Sequence, residues 1–312
     1  MGWKKVIGAA AGVLGASCAA LSVGYFEYAI CRPSVPRHED DLTDPVVGGF
    51  WKQWQQERAW IETLPKKKLE ILSYDGLRLV GTLIPAETPS KKTVIAIHGY
   101  KSCGYREYAT FVRFYHEMGC NVLLPDNRAH GGSEGRYIGF GWLDRLDTLE
   151  WIQRMLQEYG TDSQIVLQGV SMGAATVLMT SGEILPVQVK AIVADCPYTS
   201  VKEQFEHNLD QQGVPHFPLM QTTDLLCQRI AGYGYEEASA LRQVQKSVTP
   251  TLFITGDADD FVPTEMTHRL YEACTAEKDL FVVPGARHAE AHTVDQAGYE
   301  QHVREFVGRY LS

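Results

Sequence analysis

From Leu69 onward, short apolar runs alternate with stretches of helical period. "LEILSYDGLRLVGTLIP" holds two alternating runs around Asp75-Gly76, which predicts a β-hairpin. Buried strands are then predicted at "KTVIAI", "NVLLP", "QIVLQ", "VKAIVAD", "TLFITG" and "KDLFVV". Between them, the 3.6-residue period predicts helices over 108–119, 144–160, 172–184 and 264–275, and a last one over 294–311. Residues 198–248 break the alternation; they are mostly polar and helical in pattern. Strands alternating with helices imply a mostly parallel sheet covered on both faces, hence an α/β fold. Such sheets bind ligands beyond the carboxyl ends of their strands, so chemistry is expected just after each apolar run.

The first 68 residues differ. After Lys4 and Lys5, Val6 to Phe26 carries no charge, and that length suffices for one membrane-spanning helix. The preceding lysines orient the N-terminus to the cytoplasm and the rest outward. A cleaved signal peptide is the alternative, with small residues at Ala20 to Ser22. We therefore divide the chain into an anchor or signal (1–30), a linker with a leading helix (31–68) and an α/β unit (69–312).

The chain has 312 residues and a formal net charge of -9, with Lys66, Lys67 and Lys68 as its densest basic cluster. That balance argues against a nucleic-acid partner. The cysteines are seven and scattered, without Cys-x-x-Cys pairs, so neither zinc spacing nor a disulfide framework is expected.

Gly-x-Ser-x-Gly occurs twice, at "GGSEG" (131–135) and "GVSMG" (169–173). A nucleophile elbow needs a buried strand before it and a helix after it. "GVSMG" has both, whereas "GGSEG" follows the polar "DNRAH" and precedes no helical pattern. Ser171 is therefore the expected nucleophile and Ser133 a loop residue. A serine hydroxyl needs a base. His288 follows the strand "LFVV" and is the candidate; His98 and His130 are expected in other, structural tasks. The base needs a carboxylate. Asp259, the third residue past Gly256, is chosen, with Asp257 and Asp260 expected to hold the turn. "HAEAH" pairs His288 with His292 but is not His-Glu-x-x-His and shows no third ligand, so no metal or organic cofactor is expected. The oxyanion donors are expected from the backbone N–H groups of Met172 and Tyr100, with Lys101 in reserve.

"HGY", "PDNRAHGGSEG", "GVSMGA", "GDADDFVP" and "GARHAEA", in this order, resemble the ordered motifs of the α/β-hydrolases. The resemblance spans about residues 69–312. It is nearest to a bacterial membrane-anchored branch similar to lysophospholipase-like and serine-aminopeptidase-like hydrolases. It implies a helical cap at about 198–248 over the site. The expected function is hydrolysis of short or medium acyl esters by Ser171, His288 and Asp259. Lipid esters and peptides are the alternatives, and a catalytically silent binding protein is the non-enzyme one. The expected partners are a small acyl ester or lipid-like substrate and, through the N-terminal segment, a membrane.

Overall fold

The computed structural model describes residues 19–33 and 51–312. Eight strands form one mixed sheet: β1 (Lys67–Leu72), β2 (Arg78–Ile84), β3 (Lys92–Ile97), β4 (Asn121–Pro125), β5 (Gln164–Val170), β6 (Val189–Asp195), β7 (Thr251–Gly256) and β8 (Lys278–Val283). Their order is β1-β2-β4-β3-β5-β6-β7-β8. β2 pairs antiparallel with both β1 and β4, and from β4 to β8 every pair is parallel. Each predicted apolar run is one of these strands.

Side chains alternate across the pleat, so each central strand feeds two cores. Ile95, Ile97, Ile165 and Leu167 face one side, where the helices Asp144–Tyr159, Met172–Ser181 and Val201–Gln211 pack. Val94, Ala96, Val166 and Val170 face the other, toward Trp51–Thr63 and Gln296–Gly308. The leading helix expected in the linker is Trp51–Thr63; it buries Trp54 and Ile61, and Trp54 Nε1 donates to Arg106 O at 3.0 Å.

The single helix expected over 108–119 is instead two, Gly104–Tyr108 and Val112–Glu117. Tyr108, Ala109, Phe111, Val112, Phe114 and Tyr115 are all buried. At 100° per residue those six positions would cover more than half the circumference of one helix. Breaking the helix at 109–111 lets every one of them reach the core. The last helix, expected over 294–311, is Gln296–Gly308, with Asp295 capping it through Gly298 N–H at 2.9 Å; a short helical turn, Ala291–Val294, precedes it.

Between β6 and β7 lie the helices Val201–Gln211, Leu219–Leu226 and Ala240–Val244. Tyr233 and Tyr235 of this insertion are buried in the core, and Tyr233 Oη donates to Ile138 O at 2.8 Å. Phe217, Leu225 and Ile230 of the same insertion face solvent.

Of the uncharged run from Val6 to Phe26, residues 6–18 lie outside the described residues, so the expected membrane-spanning helix falls largely there. Residues 19–29 form a helix that packs on the catalytic body. Phe26 and Ile30 are core residues, and Tyr25 meets Phe205 edge-on at 6.0 Å. Ile138 N–H donates to Ile30 O at 2.7 Å, and Arg32 N–H to Arg136 O at 2.7 Å. No helix among the described residues is long and apolar enough to cross a membrane.

Candidate active site

β5 ends at Val170 and the helix Met172–Ser181 begins two residues later, with Ser171 between them at φ 55°. A left-handed non-glycine residue costs energy that its surroundings must supply. Ser171 N–H donates to Asp195 O at 2.8 Å, and Ser171 O accepts from Ala175 N–H at 3.0 Å. The flanking glycines are required by contact. A Cβ on Gly169 would overlap Gly173 O, and one on Gly173 would overlap Ile97 O. Only a turn without these side chains lets the helix start this close to β3 and β5.

His288 lies in the loop after β8, with Nε2 2.8 Å from Ser171 Oγ and Nδ1 2.8 Å from Asp259 Oδ2. A neutral ring in this setting donates from Nδ1 to the carboxylate and accepts the Ser171 hydroxyl at Nε2. Asp259, in the loop after β7, is buried; its Oδ1 accepts Phe261 N–H at 3.1 Å and Val262 N–H at 2.9 Å. Its neighbours behave differently. Asp257 ties the two loops together, accepting Gly285 N–H at 2.6 Å. Asp260 is exposed, faces Arg287 at 3.7 Å, and its carbonyl contacts His207 Nε2 at 2.9 Å.

Ser133, in the second pentapeptide, is occupied structurally. Its Oγ donates to Asp126 O at 2.6 Å and accepts Val80 N–H at 2.9 Å. The same loop is held by buried Arg128, which grips Asp147 through Nε and Nη2, both at 2.7 Å, and Asp75 of the hairpin turn at 3.0 and 3.1 Å.

His98 and His130 are both buried and neutral. Burial pushes His98 down to about 4 and His130 down to about 3. Asn127 N–H donates to His98 Nε2 at 2.9 Å, so the proton sits on Nδ1, 2.8 Å from Gly99 O. Lys101 N–H donates to His130 Nε2 at 3.0 Å, and Nδ1 contacts Arg128 O at 2.8 Å. The two rings meet edge-on at 4.9 Å. They brace the turn after β3 against the loop after β4. Because Lys101 N–H is committed to His130, it is removed from the reserve role at an oxyanion. Gly99 lies against the elbow: a Cβ there would stand 3.5 Å from Ser171 Cβ. Tyr100 N–H leaves the chain at the next residue, and Met172 N–H opens the helix ahead of its first backbone bond.

Two residues that the sequence search passed over border the triad-like line. Asp195, the last residue of β6, is buried and pushed up to about 7, chiefly by burial and then by Asp259 and Glu107, against a hydrogen bond from Tyr299 and the attraction of His288. Its Oδ1 has no partner among the described residues. Cys196 Sγ lies within 4.8 Å of ligand atoms of Asp259 and His288. Burial raises its thiol well above the usual range, and both His288 nitrogens are hydrogen-bonded, so this cluster is a poor metal site. Both positions lay where a strand end was expected; the signal was position alone. His292 does not join His288: its ring stacks on Phe111 at 4.1 Å, and Nε2 is 3.3 Å from Glu300. The six cysteines among the described residues are free, five of them buried.

A serine on a strand-to-helix elbow, a histidine after β8 and this sheet order define a serine hydrolase of the α/β-hydrolase fold. Residues 112–312 match the prolyl oligopeptidase family, and the chain belongs to it. It is 29% identical over 248 residues to the uncharacterized protein YqkD of Bacillus subtilis, covering 79% of this chain and 80% of that one. An uncharacterized membrane protein of Saccharomyces cerevisiae is 26% identical, over 78% of this chain and 80% of its own length. Among solved structures, a Pyrococcus furiosus esterase superposes with a TM-score of 0.67 at 25% identity, covering 81% of this chain and 94% of that one. Est1E of Butyrivibrio proteoclasticus, solved with ferulic acid, has a TM-score of 0.62 at 19% identity, over 78% and 98%.

Proposed function

We propose that this chain is a carboxylesterase-type hydrolase in which Ser171, His288 and Asp259 form the catalytic triad. The unbroken line from Ser171 Oγ through His288 to Asp259, with 2.8 Å at each step, carries the reading. Ser171 Oγ attacks the acyl carbonyl while His288 Nε2 takes the hydroxyl proton. Asp259 fixes the ring and balances its charge. Met172 and Tyr100 N–H groups receive the oxyanion. His288 returns its proton to the leaving alcohol, then draws a proton from water as that water attacks the acyl-enzyme and frees the acid. No metal enters these steps. Short or medium acyl esters are the favoured substrates; the esterase neighbour at 25% identity supports ester hydrolysis as the bond class.

The family to which the chain belongs favours a second reading, cleavage of a peptide bond by the same triad. A fluorophosphonate probe tests the shared chemistry: it labels the native enzyme, fails on Ser171→Ala and still labels Ser133→Ala. Labelling of Ser171→Ala at the native level overturns the assignment. Hydrolysis of a p-nitrophenyl acyl series beside an aminoacyl amide separates esterase from peptidase.

A further inference from the structure

The uncharged run before the catalytic body extends to Phe26, yet its end is not free to cross a bilayer. Ser22 Oγ is 2.5 Å from Thr222 Oγ1 of the insertion, Tyr25 meets Phe205, and Phe26 packs on Tyr137 at 5.9 Å. The C-terminal carbonyls of this helix are held too. Tyr100 Oη donates to Ala29 O at 2.9 Å and Lys101 Nζ to Tyr28 O at 2.7 Å. A cation at a helix C-terminus favours that seating. With residues 19–29 docked, only Val6–Cys18 remains as uncharged chain ahead of the helix. Even wound as a helix, that stretch rises about 20 Å, against a hydrocarbon core of about 30 Å. Lipid reached through this segment must therefore lie close against the body itself.

The body presents an apolar face at that place. Leu21, beside Ser22 and on the flank of the helix that Tyr25 turns to Phe205, is 69% exposed. Across the seam, Leu225 stands one helical turn from Thr222 and is 53% exposed, with Phe217 at 77% and Ile230 at 47%. Four large exposed apolar side chains thus stand on the helix 19–29 and on the insertion that Ser22 ties to it. The mouth of the site is tied to the same elements. The helix Val201–Gln211, which carries Phe205, donates from Gln204 Nε2 to Phe261 O at 2.8 Å, and the Phe261 ring lies 4.9 Å from that of His288.

We propose that Leu21, Phe217, Leu225 and Ile230 form a seat that sinks into the interfacial region of a lipid bilayer, placing the entrance to the site at the lipid surface. The N-terminal segment then tethers, and the insertion lies on the membrane, as interfacial apolar faces do. The seat does not depend on which acyl bond the triad cleaves.

Site-directed fluorescence in the full chain tests it. Cys18 and Cys103 are replaced by serine, and one cysteine at a time is introduced by Phe217→Cys, Leu225→Cys or Ile230→Cys. Each is labelled with an environment-sensitive fluorophore, and the protein is reconstituted into phosphatidylcholine vesicles with or without doxyl-labelled lipid. Val187→Cys is the control; Val187 is 80% exposed and precedes β6, at the end of the sheet opposite the strand ends that carry the site. We expect a blue shift and doxyl quenching at 217, 225 and 230, with aqueous emission at 187. Aqueous emission at all four, equal quenching at 187, or a blue shift at 217 that occurs without vesicles and resists doxyl lipid (a second copy of the chain on the seat) would overturn the proposal.

Discussion

Lys101 gives its backbone N–H to Nε2 of His130, 3.0 Å away and 29 residues on. Through this bond the loop after β4 sets the turn from which Tyr100 N–H is offered. The motif "DNRAHGGSEG" thereby shapes the site without contributing a reacting atom.

Replacing His130 by alanine strands Lys101 N–H and removes the edge contact with His98. An unsatisfied buried donor costs about 1–3 kcal/mol. We expect a stability loss of that order, and a kcat reduced by about 10-fold with KM little changed, since a displaced oxyanion donor acts mainly on the transition state. Steady-state kinetics and urea titration check both. Unaltered kcat in a destabilised protein would confine the brace to folding.

Stability is expected to rise from pH 3 to about 6.5 and to stay level above pH 7. His98 and His130 have folded values of about 4 and 3, below the unfolded value of about 6.5. The unfolded chain binds more protons between those values, so their contribution is complete above pH 6.5 and is lost as pH falls toward 3; the loss is about 3 kcal/mol for His98 and about 5 kcal/mol for His130. Asp195 and Asp144 have the opposite sign. Burial pushes them up to about 7 and about 6, so the folded state holds the extra proton from about pH 4 up to those values, and the stability they lend is lost across that window and no further above it. Urea midpoints across pH 3–9 check the sum. Asp195→Asn should steepen the rise between pH 4 and 6.5 and remove the small fall before pH 7, and His130→Gln should reduce the rise.

Asp259→Asn keeps an acceptor for Phe261 and Val262 N–H but no longer balances the imidazolium. A loss of about 10³–10⁴ in kcat is expected, with near-native melting. Asp257→Asn, which touches only the backbone of Gly285, should stay within a few fold of native activity. Equal losses in the two variants would misplace the acid.

Gly173→Ala drives a methyl into the carbonyl of Ile97 in the centre of the sheet. Destabilisation beyond about 4 kcal/mol, or failure to fold, is expected. Gly24→Ala, where a Cβ meets nothing within 4 Å, should melt at or above the native temperature. Thermal denaturation of the pair measures the contrast.

The fold was legible because its strands are continuous apolar runs, which a doubly covered sheet demands. Ser171 and His288 were legible because each follows such a run. What period and motif could not show was the supporting cast. The neutrality of His98 and His130 arises from burial by residues distant in sequence. Asp195 and Cys196 reach the site only because β6 lies between β5 and β7, a sheet order that local pattern does not contain. The broken helix at 109–111 and the burial of Tyr233 likewise follow from which faces are covered in three dimensions.

The docking of residues 19–33 has a practical side. A truncated enzyme that starts at residue 34, where the Pro-bearing linker suggests a natural cut, would uncover the core around Ile30 and release Tyr100 and Lys101 from the carbonyls that hold them. A shortened form for crystallisation or assay should begin no later than residue 19, so that Ser22 keeps its bond to Thr222 and Tyr25 its contact with Phe205, and the insertion stays braced from the N-terminal side.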